Sequence, residues 1–259
     1  MPDYIDDLRL AHVLADQADD ITMGRFKALD LAVESKPDRT PVTDADTAVE
    51  DAIRVSLGRS RPRDSVHGEE RADTGLGPRR WIIDPIDGTA NFLRGVPVWA
   101  TLIALEDDGE IVAGVVSAPA LNRRWWATKG GGAYTGRTLI TGSKIHVSKV
   151  ARISDAFFAY ASLNGWVSIG KGQQIVDLLR GVWRTRAFGD FWSYMLLAEG
   201  AVDIAAEPDL ALHDMAAVSI VVQEAGGQFT NLAGVPGPAG PGAYASNGLL
   251  HADLLAQLG

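Results

Sequence analysis

The chain has 259 residues, enough for one large domain or two closely packed ones, and its 46% hydrophobic and 22% charged residues are ordinary for a globular protein with a full core. Its 24 basic and 33 acidic residues give a net charge of −9, which disfavours a general nucleic-acid binder, because affinity for phosphate backbones comes from clustered Lys and Arg. The absence of cysteine excludes disulfides, thiolate zinc sites, iron–sulfur clusters and cysteine nucleophiles.

Two helices are predicted at the start of the chain. Apolar residues at spacings of three and four indicate an amphipathic helix over residues 5–21. Pro37 and Pro41 then interrupt the chain, and a second helix is predicted from Thr43–Asp44, which can cap it, to Leu57. Both helices need a surface on which to bury their apolar faces.

Short β-like runs supply that surface. They cover residues 79–84, 98–105, 111–118, 123–128 and 130–134. The pair Asp108–Gly109 between two apolar runs is a strong hairpin signal. The first half is therefore predicted to be two helices packed on an antiparallel sheet, and the adjacent Trp125–Trp126 is read as core or interface.

The second half alternates strands with helices. Strands are predicted over residues 156–163, 183–188 and 202–206, and helices over 173–182, 191–200, 214–225 and 249–258. Alternation of this kind indicates a layered α/β unit. We place the boundary near residues 148–154, so that residues 1–150 and 151–259 form two parts of one integrated unit.

Two further segments are read as loops. The Pro/Gly-rich stretch 234–242 is typical of a surface loop. Gly165–Lys171 has the spacing of a nucleotide phosphate loop, but Gly172 stands where a Ser or Thr would bind Mg²⁺. We therefore interpret it as a loop before a helix.

Nothing in the sequence indicates export or membrane insertion. The first ten residues are acidic and lack an apolar run, unlike a secretory or transit peptide. The longest strongly apolar stretch, residues 111–121, is shorter than the ~20 residues of a membrane span. We expect a cytoplasmic protein without membrane or nucleic-acid partners.

Three clusters place acidic residues where a fold rarely needs them. Gly68–Glu69–Glu70 follows a short apolar segment. Asp84 and Asp87 follow a strand that reads as buried on both sides, and His213–Asp214 opens an apolar helix. Ionised carboxylates at such places are costly unless they are paired or bind a metal.

The cluster at residues 84–89 has the chemistry of a metal and phosphate site. Asp84, Asp87 and the backbone carbonyl of Ile86 are oxygen ligands of the kind that Mg²⁺ or Mn²⁺ prefers. Gly88 and Thr89 offer backbone N–H groups and a hydroxyl to a phosphate. The alternative is that Asp-Gly forms only a turn and Asp87 only caps a helix.

Together the acids suffice for more than one ion. Glu69, Asp84, Asp87 and Asp214 can hold two or three divalent ions with water and a phosphate. Two metals about 4 Å apart can activate a water and stabilise the leaving oxygen in an in-line displacement.

These motifs resemble a known family. Residues 68–70, 81–92 and the segment from His213 to Gly227 are similar to the three signatures of the inositol monophosphatase-like family of Mg²⁺-dependent, Li⁺-sensitive phosphatases. The resemblance runs in the right order over nearly the whole chain and includes residues 41–46. It implies an α+β fold, a layered αβαβα sandwich, with an antiparallel sheet in the first half and a mixed α/β second half. It also implies hydrolysis of a small phosphate monoester by water.

The resemblance assigns roles residue by residue. It implies metal ligation by Glu69, Asp84, the Ile86 carbonyl, Asp87 and Asp214. Thr89 and Asp46 would orient or deprotonate the attacking water, and Glu69 would also support a third, weaker ion. Two positions depart from the family's usual pattern. His213 stands where relatives usually have Trp, and Ala90 stands where relatives often have Lys. Neither departure removes a metal ligand. We leave His213 out of the site.

Every phosphate monoester presents the same phosphate group, so substrate specificity must come from residues that face the alcohol part of the substrate. The resemblance points to Asp190, in the segment 189–191, and to Glu207, seven residues before Asp214. These added carboxylates favour a cationic substrate over a neutral polyol. Asp190 can alternatively cap the following helix, and Arg186 can pair with Asp190 or contact substrate. The predicted substrate-binding set is Asp87, Gly88, Thr89, Arg186, Asp190, Glu207 and Asp214.

Residues 183–194, 94–105 and 117–127 resemble the actinobacterial histidinol-phosphate phosphatases of this family, which implies histidinol phosphate as substrate in histidine biosynthesis. The alternatives are an inositol or broader polyol phosphatase, and a relative that binds metal or phosphate without turnover. An inactive relative should have lost a ligand or the water-activating pair, and here all are present. The resemblance also implies a homodimer or other homo-oligomer.

Overall fold

The computed structural model describes residues 4–35 and 41–259, so the predicted chain break at Pro37 lies outside the described residues. The helices are α1 (Ile5–Arg25), α2 (Asp44–Ser60), α3 (Thr89–Leu93), α4 (Leu163–Ser168), α5 (Gly172–Gly181), α6 (Asp190–Ala198), α7 (Leu212–Glu224) and α8 (His251–Leu258). The strands of the first half are β1 (Val33–Ser35), β2 (Pro41–Thr43), β3 (Ser65–Gly68), β4 (Arg79–Asp87), β5 (Ala100–Asp107), β6 (Glu110–Ala118), β7 (Arg123–Thr128), β8 (Gly132–Thr135) and β9 (Ser143–Lys144). Those of the second half are β10 (Phe157–Tyr160), β11 (Arg184–Arg186), β12 (Ile204–Glu207), β13 (Gln228–Thr230) and β14 (Ala243–Ser246).

The first half builds a seven-stranded sheet in the order β3-β4-β5-β6-β7-β8-β9. Its neighbours from β4 to β9 are antiparallel, as predicted, and Asp108–Gly109 forms the turn between β5 and β6. The prediction of a wholly antiparallel sheet was wrong at one edge, because β3 runs parallel to β4. The chain must return along residues 69–78 before β4 begins, and this return carries Glu69.

The second half builds a five-stranded mixed sheet in the order β11-β10-β12-β14-β13. The first three of these strands are parallel, and β14 and β13 are antiparallel to their neighbours. Strands β13 and β14 were not predicted, and they are only three and four residues long. Residues 243–246 also lack the β-branched run that marks a strand.

The elements stack in five layers, which confirms the predicted αβαβα sandwich. Helices α1 and α2 cover one face of the large sheet, and α6 and α7 fill the space between the two sheets. Helices α4, α5 and α8 cover the outer face of the small sheet. Strand β4 shows why the large sheet is buried on both sides, since Trp81 and Ile83 face α1 and α2 whereas Ile82 faces α7.

Two sequence interpretations change. Residues 165–168 lie inside α4, not in a loop, because the Ser162 hydroxyl accepts a hydrogen bond from the Asn164 amide at 3.2 Å and starts the helix there. Trp125 and Trp126 are both buried within the chain, on opposite faces of β7, and therefore supply no apolar area to an interface.

Residues 234–242 form an irregular, largely exposed segment, as expected. The division into residues 1–150 and 151–259 stays a prediction, although it does separate the strands of the two sheets. Across residues 4–35 and 41–259, no helix is both long and apolar enough to cross a membrane.

A buried polar network joins α1 to the large sheet. Arg124 on β7 contacts Asp16 and Asp19 of α1 at 2.8 Å and 2.7 Å. The Arg124 guanidinium also lies 3.3 Å from Nδ1 of His12, whose ring packs edge-on against Trp126. Burial, reinforced by the Arg124 charge and opposed by Asp16, lowers the pKa of His12 from 6.5 to about 4.

His12 should therefore make stability fall in mild acid. The unfolded chain protonates this imidazole at its ordinary pKa while the folded chain resists, so stability is lost as pH falls from 6.5 towards 4. Between pH 7 and pH 4.5 the wild type should lose about 2–3 kcal/mol more than His12→Asn. Urea unfolding at both pH values measures the difference, and equal losses would show that His12 titrates normally.

Candidate active site

Strand β4 delivers two aspartates to one end of the large sheet. The regular pairing of β4 with β5 is interrupted between Asp84 and Asp87, and the Thr101 hydroxyl donates to the Pro85 carbonyl at 2.8 Å within this irregular segment. Asp84 is 1% exposed and Asp87 is 7% exposed. The bulge brings both carboxylates close to one another, because a residue inserted between paired positions changes which way the side chains point.

Asp87 does cap a helix, but a different one from the helix considered in the sequence analysis. The adjacent α3 begins at Thr89, and Gly88 before it provides no side-chain cap, whereas Oδ2 of Asp87 accepts a hydrogen bond from the Phe191 amide of α6 at 2.6 Å. The amide lies in the first turn of α6, where N–H groups lack partners within the helix. This bond connects the two halves of the chain at the site.

Helix α7 supplies the third acid. Asp214 lies in its first turn, and its Oδ2 accepts from the Ala211 amide at 2.6 Å. Ligand oxygens of Asp84, Asp87 and Asp214 all lie within 4.8 Å of one another. Nε2 of His213 lies 3.7 Å from Oδ1 of Asp214, and the exclusion of His213 from the site stays a prediction.

Asp46 and Glu69 lie beside this cluster. Asp46 is fully buried in the first turn of α2, where its Oδ2 accepts from the amide and hydroxyl of Thr43 at 2.8 Å and 2.6 Å. This arrangement is a capping box, and it confirms Thr43 as the helix cap. The charge of Glu69 acts on the pKa of Asp46, Asp84 and Asp214, so the loop after β3 faces the same space.

Burial and mutual repulsion both raise the carboxyl pKa values in this space. Burial raises the pKa of Asp84 well above its ordinary value, and the charges of Glu69 and Asp87 add to the effect. The pKa of Asp87 rises for the same reason, with Asp190 as the strongest neighbouring charge. Burial raises the pKa of Asp46 to about 6 against the opposing hydrogen bonds from Thr43. A group of closely spaced, buried carboxyl groups with raised pKa values is typical of a site that binds cations.

The backbone just after Asp87 lies very close to neighbouring parts of the chain. Gly88 has φ +86°, and a Cβ there would lie 3.1 Å from the Val98 carbonyl and 3.3 Å from Oδ2 of Asp190. Glycine is required on both counts. The Thr89 hydroxyl donates to the Ile86 carbonyl at 2.9 Å. Within the part of the chain described, Thr89 and Asp46 make no direct hydrogen bond, so their shared role in activating water stays a prediction.

Asp190 is not a helix cap. It is the first residue of α6, with φ +52°, and its side chain makes no capping hydrogen bond among the described residues. Oδ2 of Asp190 instead accepts from the side-chain Nδ2 of Asn91 at 3.3 Å. Burial, together with the charge of Asp214, raises the pKa of Asp190 to about 6.

Glu207 also reaches the site, whereas Arg186 does not pair with Asp190. Glu207 is 4% exposed, burial raises its pKa, and the charges of Asp190 and Asp214 raise it further. Arg186 is exposed and donates only to the Thr185 carbonyl, at 2.8 Å, in the described part of the chain. The expected Arg186–Asp190 ion pair is therefore wrong, and contact of Arg186 with substrate stays a prediction.

Three residues around the site escaped the sequence analysis. Asn91 holds Asp190, Tyr194 is fully buried beside Glu207, and Glu50 holds the backbone of the Glu69 loop. Only Glu50 gave a usable signal, because an acid four residues after Asp46 interrupts the apolar face of α2. Asn91 and Tyr194 act through contacts that join distant parts of the chain.

The comparisons with known proteins agree with this geometry. The inositol monophosphatase family matches residues 6–258. The chain belongs to this family. The family's fold accounts for the layers described above, since the IMPase of Thermotoga maritima superimposes with a TM-score of 0.87 at 29% identity, covering 98% of this chain and 96% of that chain.

Two members of the inositol monophosphatase family are particularly similar. The histidinol-phosphatase of Streptomyces coelicolor is 63% identical over 262 residues, which cover 100% of this chain and 98% of the relative. The histidinol-phosphatase of Mycobacterium tuberculosis is 56% identical over 254 residues, which cover 98% of each chain. The family resemblance read from the three acidic motifs is thereby confirmed.

The residues present fit a divalent cation. The donor set is made of oxygen, which suits Mg²⁺ or Mn²⁺. Oδ1 of Asp84 and Oδ1 of Asp46 are buried, and neither has a hydrogen-bond partner in the described part of the chain. Buried carboxylate oxygens without donors are costly, and a cation offsets that cost.

Asp84→Asn should stabilise the metal-free protein while abolishing its response to metal. Removing one of several crowded charges relieves repulsion, so at pH 8 in a chelator the melting temperature should rise by about 2–4 °C per kcal/mol relieved. Adding 5 mM Mg²⁺ should raise the wild-type melting temperature and leave Asp84→Asn unchanged.

Asp20→Asn is the matched control, because it makes the same change of net charge at an exposed position in the interior of α1. It should keep the wild-type melting temperature in the chelator and the full Mg²⁺ response. An Mg²⁺ response of normal size in Asp84→Asn would remove Asp84 from the metal site.

Proposed function

We propose that the protein is a Mg²⁺-dependent phosphatase that hydrolyses L-histidinol phosphate to L-histidinol and inorganic phosphate. The observation that carries the substrate assignment is the full-length similarity to two histidinol-phosphatases, at 63% and 56% identity. The cluster of Asp84, Asp87 and Asp214 supports the metal requirement, and the family to which the chain belongs is metal-dependent.

The proposed ligands are Glu69, Asp84, the carbonyl of Ile86, Asp87 and Asp214, holding two or three ions. Mg²⁺ bound there would supply charge to the phosphate oxygens and lower the pKa of a bound water, and Mn²⁺ could substitute. Gly88 and Thr89 would donate to the phosphate through their backbone N–H groups. Asp87 and Asp214 would line the substrate side of the same space.

The proposed chemistry is a single displacement at phosphorus. Asp46 would take a proton from the attacking water through Oδ1, because Oδ2 is already occupied by the two donors of Thr43. Thr89 would orient this water. The new bond joins the water oxygen to phosphorus, and the bond from phosphorus to the alcohol oxygen breaks. That oxygen takes a proton from solvent as histidinol leaves, and Asp46 returns its proton to solvent, which restores the carboxylate.

The carboxylates proposed to face the alcohol part of the substrate support a cationic substrate. Asp190 and Glu207 add carboxylates next to Asp87, and histidinol phosphate carries an ammonium group and an imidazole. Arg186 would contact the substrate directly. An inositol or broader polyol phosphatase is the second candidate, and the substrate comparison below discriminates between the two.

Two further properties belong to the same proposal. We infer a homodimer or other homo-oligomer in the cytoplasm, as the family resemblance implies. Trp183 is 63% exposed and offers apolar area, unlike the buried Trp125 and Trp126.

Chelation should abolish turnover reversibly. Exhaustive treatment with EDTA should reduce phosphate release from histidinol phosphate by at least about a hundredfold, because the ligand oxygens alone cannot neutralise the phosphate. Added Mg²⁺ or Mn²⁺ should restore it, whereas Ca²⁺ should inhibit through its looser coordination. Full activity after chelation would contradict the metal assignment, and an absence of turnover with every monoester tested would favour the inactive relative.

Asp190→Asn should impair the cationic substrate selectively. A hydrogen bond to a charged group contributes about 1.5–3 kcal/mol, so kcat/KM for histidinol phosphate should fall roughly tenfold to a hundredfold. The neutral glycerol phosphate should change less than about threefold. The wild type should also prefer histidinol phosphate to inositol monophosphate.

Equal losses on both substrates would remove Asp190 from the alcohol pocket. Faster turnover of inositol monophosphate by the wild type would favour the second candidate and leave the phosphatase proposal intact. Asp177→Asn, on α5, is a suitable control because it removes a carboxylate elsewhere.

A further inference from the structure

One face of α2 carries two buried acids a single turn apart. Asp46 lies at the start of the helix, and Glu50 follows four residues later on the same side, with both side chains fully buried. Asp46 is the proposed proton acceptor. Glu50 has no part in the carboxylate cluster formed by Asp84, Asp87 and Asp214.

The Glu50 carboxylate is occupied by backbone and side-chain donors. Its Oε2 accepts from the Glu70 amide at 2.7 Å, and its Oε1 accepts from the Arg71 amide at 3.1 Å. Nε of Arg54, one helical turn further along α2, donates to the same Oε1 at 2.8 Å. These hydrogen bonds compensate the burial of the charge, since a buried carboxylate needs several donors.

The loop is also packed tightly against this carboxylate. A Cβ at Gly68 would lie 2.1 Å from Oε1 of Glu50, so the backbone before Glu69 runs directly over the Glu50 side chain. Arg71 forms an ion pair with Asp51 of α2 at 2.7 Å, and Arg54 donates to the Arg71 carbonyl at 3.2 Å. Helix α2 thus holds the loop on both sides of Glu69.

The arrangement fixes two parts of the site to one rigid element. Asp46 belongs to α2 itself, whereas Glu69 belongs to an irregular loop at the edge of the large sheet. The amides held by Glu50 are those of the two residues that directly follow Glu69. A displacement of these amides would move Glu69 relative to Asp46 and the aspartate cluster.

We propose that Glu50 is a positioning residue, whose carboxylate holds the backbone of Glu70 and Arg71 on α2 and thereby sets the position of Glu69 for metal binding. Glu50 touches neither metal nor substrate. The inference rests on the proposed function only in taking Glu69 as a metal ligand. The hydrogen bonds from the Glu70 and Arg71 amides to Glu50, called the Glu50 clamp below, are already present in the metal-free protein.

The test uses Glu50→Gln, which keeps the size of the side chain and leaves the space beside Gly68 unchanged. The variant replaces one of the two acceptor oxygens by a donor and removes the charge that Arg54 faces. In the metal-free protein, hydrogen exchange of the peptide spanning residues 66–74 should be about tenfold faster. Mn²⁺ affinity, measured from free Mn²⁺ by electron paramagnetic resonance, should be at least about tenfold weaker. At saturating Mg²⁺, kcat should stay within about threefold of the wild type.

Asp203→Asn is the matched control. Asp203 is also a buried acid that accepts from a backbone amide, that of Phe157 at 2.6 Å, but it precedes β12 at the end remote from Glu207. It should lower stability without altering exchange at residues 66–74 or Mn²⁺ affinity. If Asp203→Asn weakened Mn²⁺ binding as much as Glu50→Gln, the effect would be general destabilisation and the proposal would be wrong.

The remaining outcomes distinguish failure of the Glu50 clamp proposal from failure of the metal-site proposal. Unchanged exchange or unchanged Mn²⁺ affinity in Glu50→Gln, with binding intact in the wild type and lost in Asp84→Asn, would overturn the role of Glu50 and leave the phosphatase proposal standing. Failure of the wild type to bind Mn²⁺ would overturn both. If Glu50→Gln does not fold, Glu50→Asp keeps the charge but withdraws both oxygens, and Mn²⁺ affinity equal to that of the wild type would then overturn the proposal.

Discussion

Repulsion between buried carboxylates is the constraint around which this molecule is organised. Asp84, Asp87 and Asp214 lie within 4.8 Å of one another, and two ionised groups at that separation repel by about 3–4 kcal/mol at an effective dielectric constant of ~20. The surrounding structure must hold them together against this force. It does so with a bulged strand, the first turn of a helix and a cross-connection between the two halves, each fixed by backbone hydrogen bonds.

The acids also meet the hydrogen-bonding needs of the helices around them. Asp46 and Asp214 accept amide hydrogen bonds at the starts of α2 and α7, and Asp87 accepts one at the start of α6. Helix starts leave N–H groups without partners and carry partial positive charge, so an acidic side chain is stabilised there. The proposed site and the local stability of three helices therefore depend on the same side chains.

Much of the layered fold could be predicted because the apolar patterns of α1, α2 and β4 are local, being periodic in the two helices and continuous in the strand. The three acidic motifs could be found for a similar reason, since each is a short run of residues with its own chemistry. The parallel pairing of β3, the strands β13 and β14, and the contact of Asn91 with Asp190 could not be predicted. Those features depend on which distant segments meet, and a single sequence carries no local signal for that. Arg186 shows the converse error, because its nearness in sequence to Asp190 did not bring the two side chains together.

The hydrogen bond from the Phe191 amide to Asp87 limits what can change at the neighbouring position 190. It anchors the backbone at the beginning of α6 to a carboxylate of the acidic cluster, and residue 190 is the position immediately before that anchor. Because residue 190 has φ +52°, the side chains that fit there without backbone strain are chiefly those of Asp, Asn and Gly. Exchange of Asp190 for Asn needs a single codon change, and it would alter the charge beside the cluster while the main chain keeps its register.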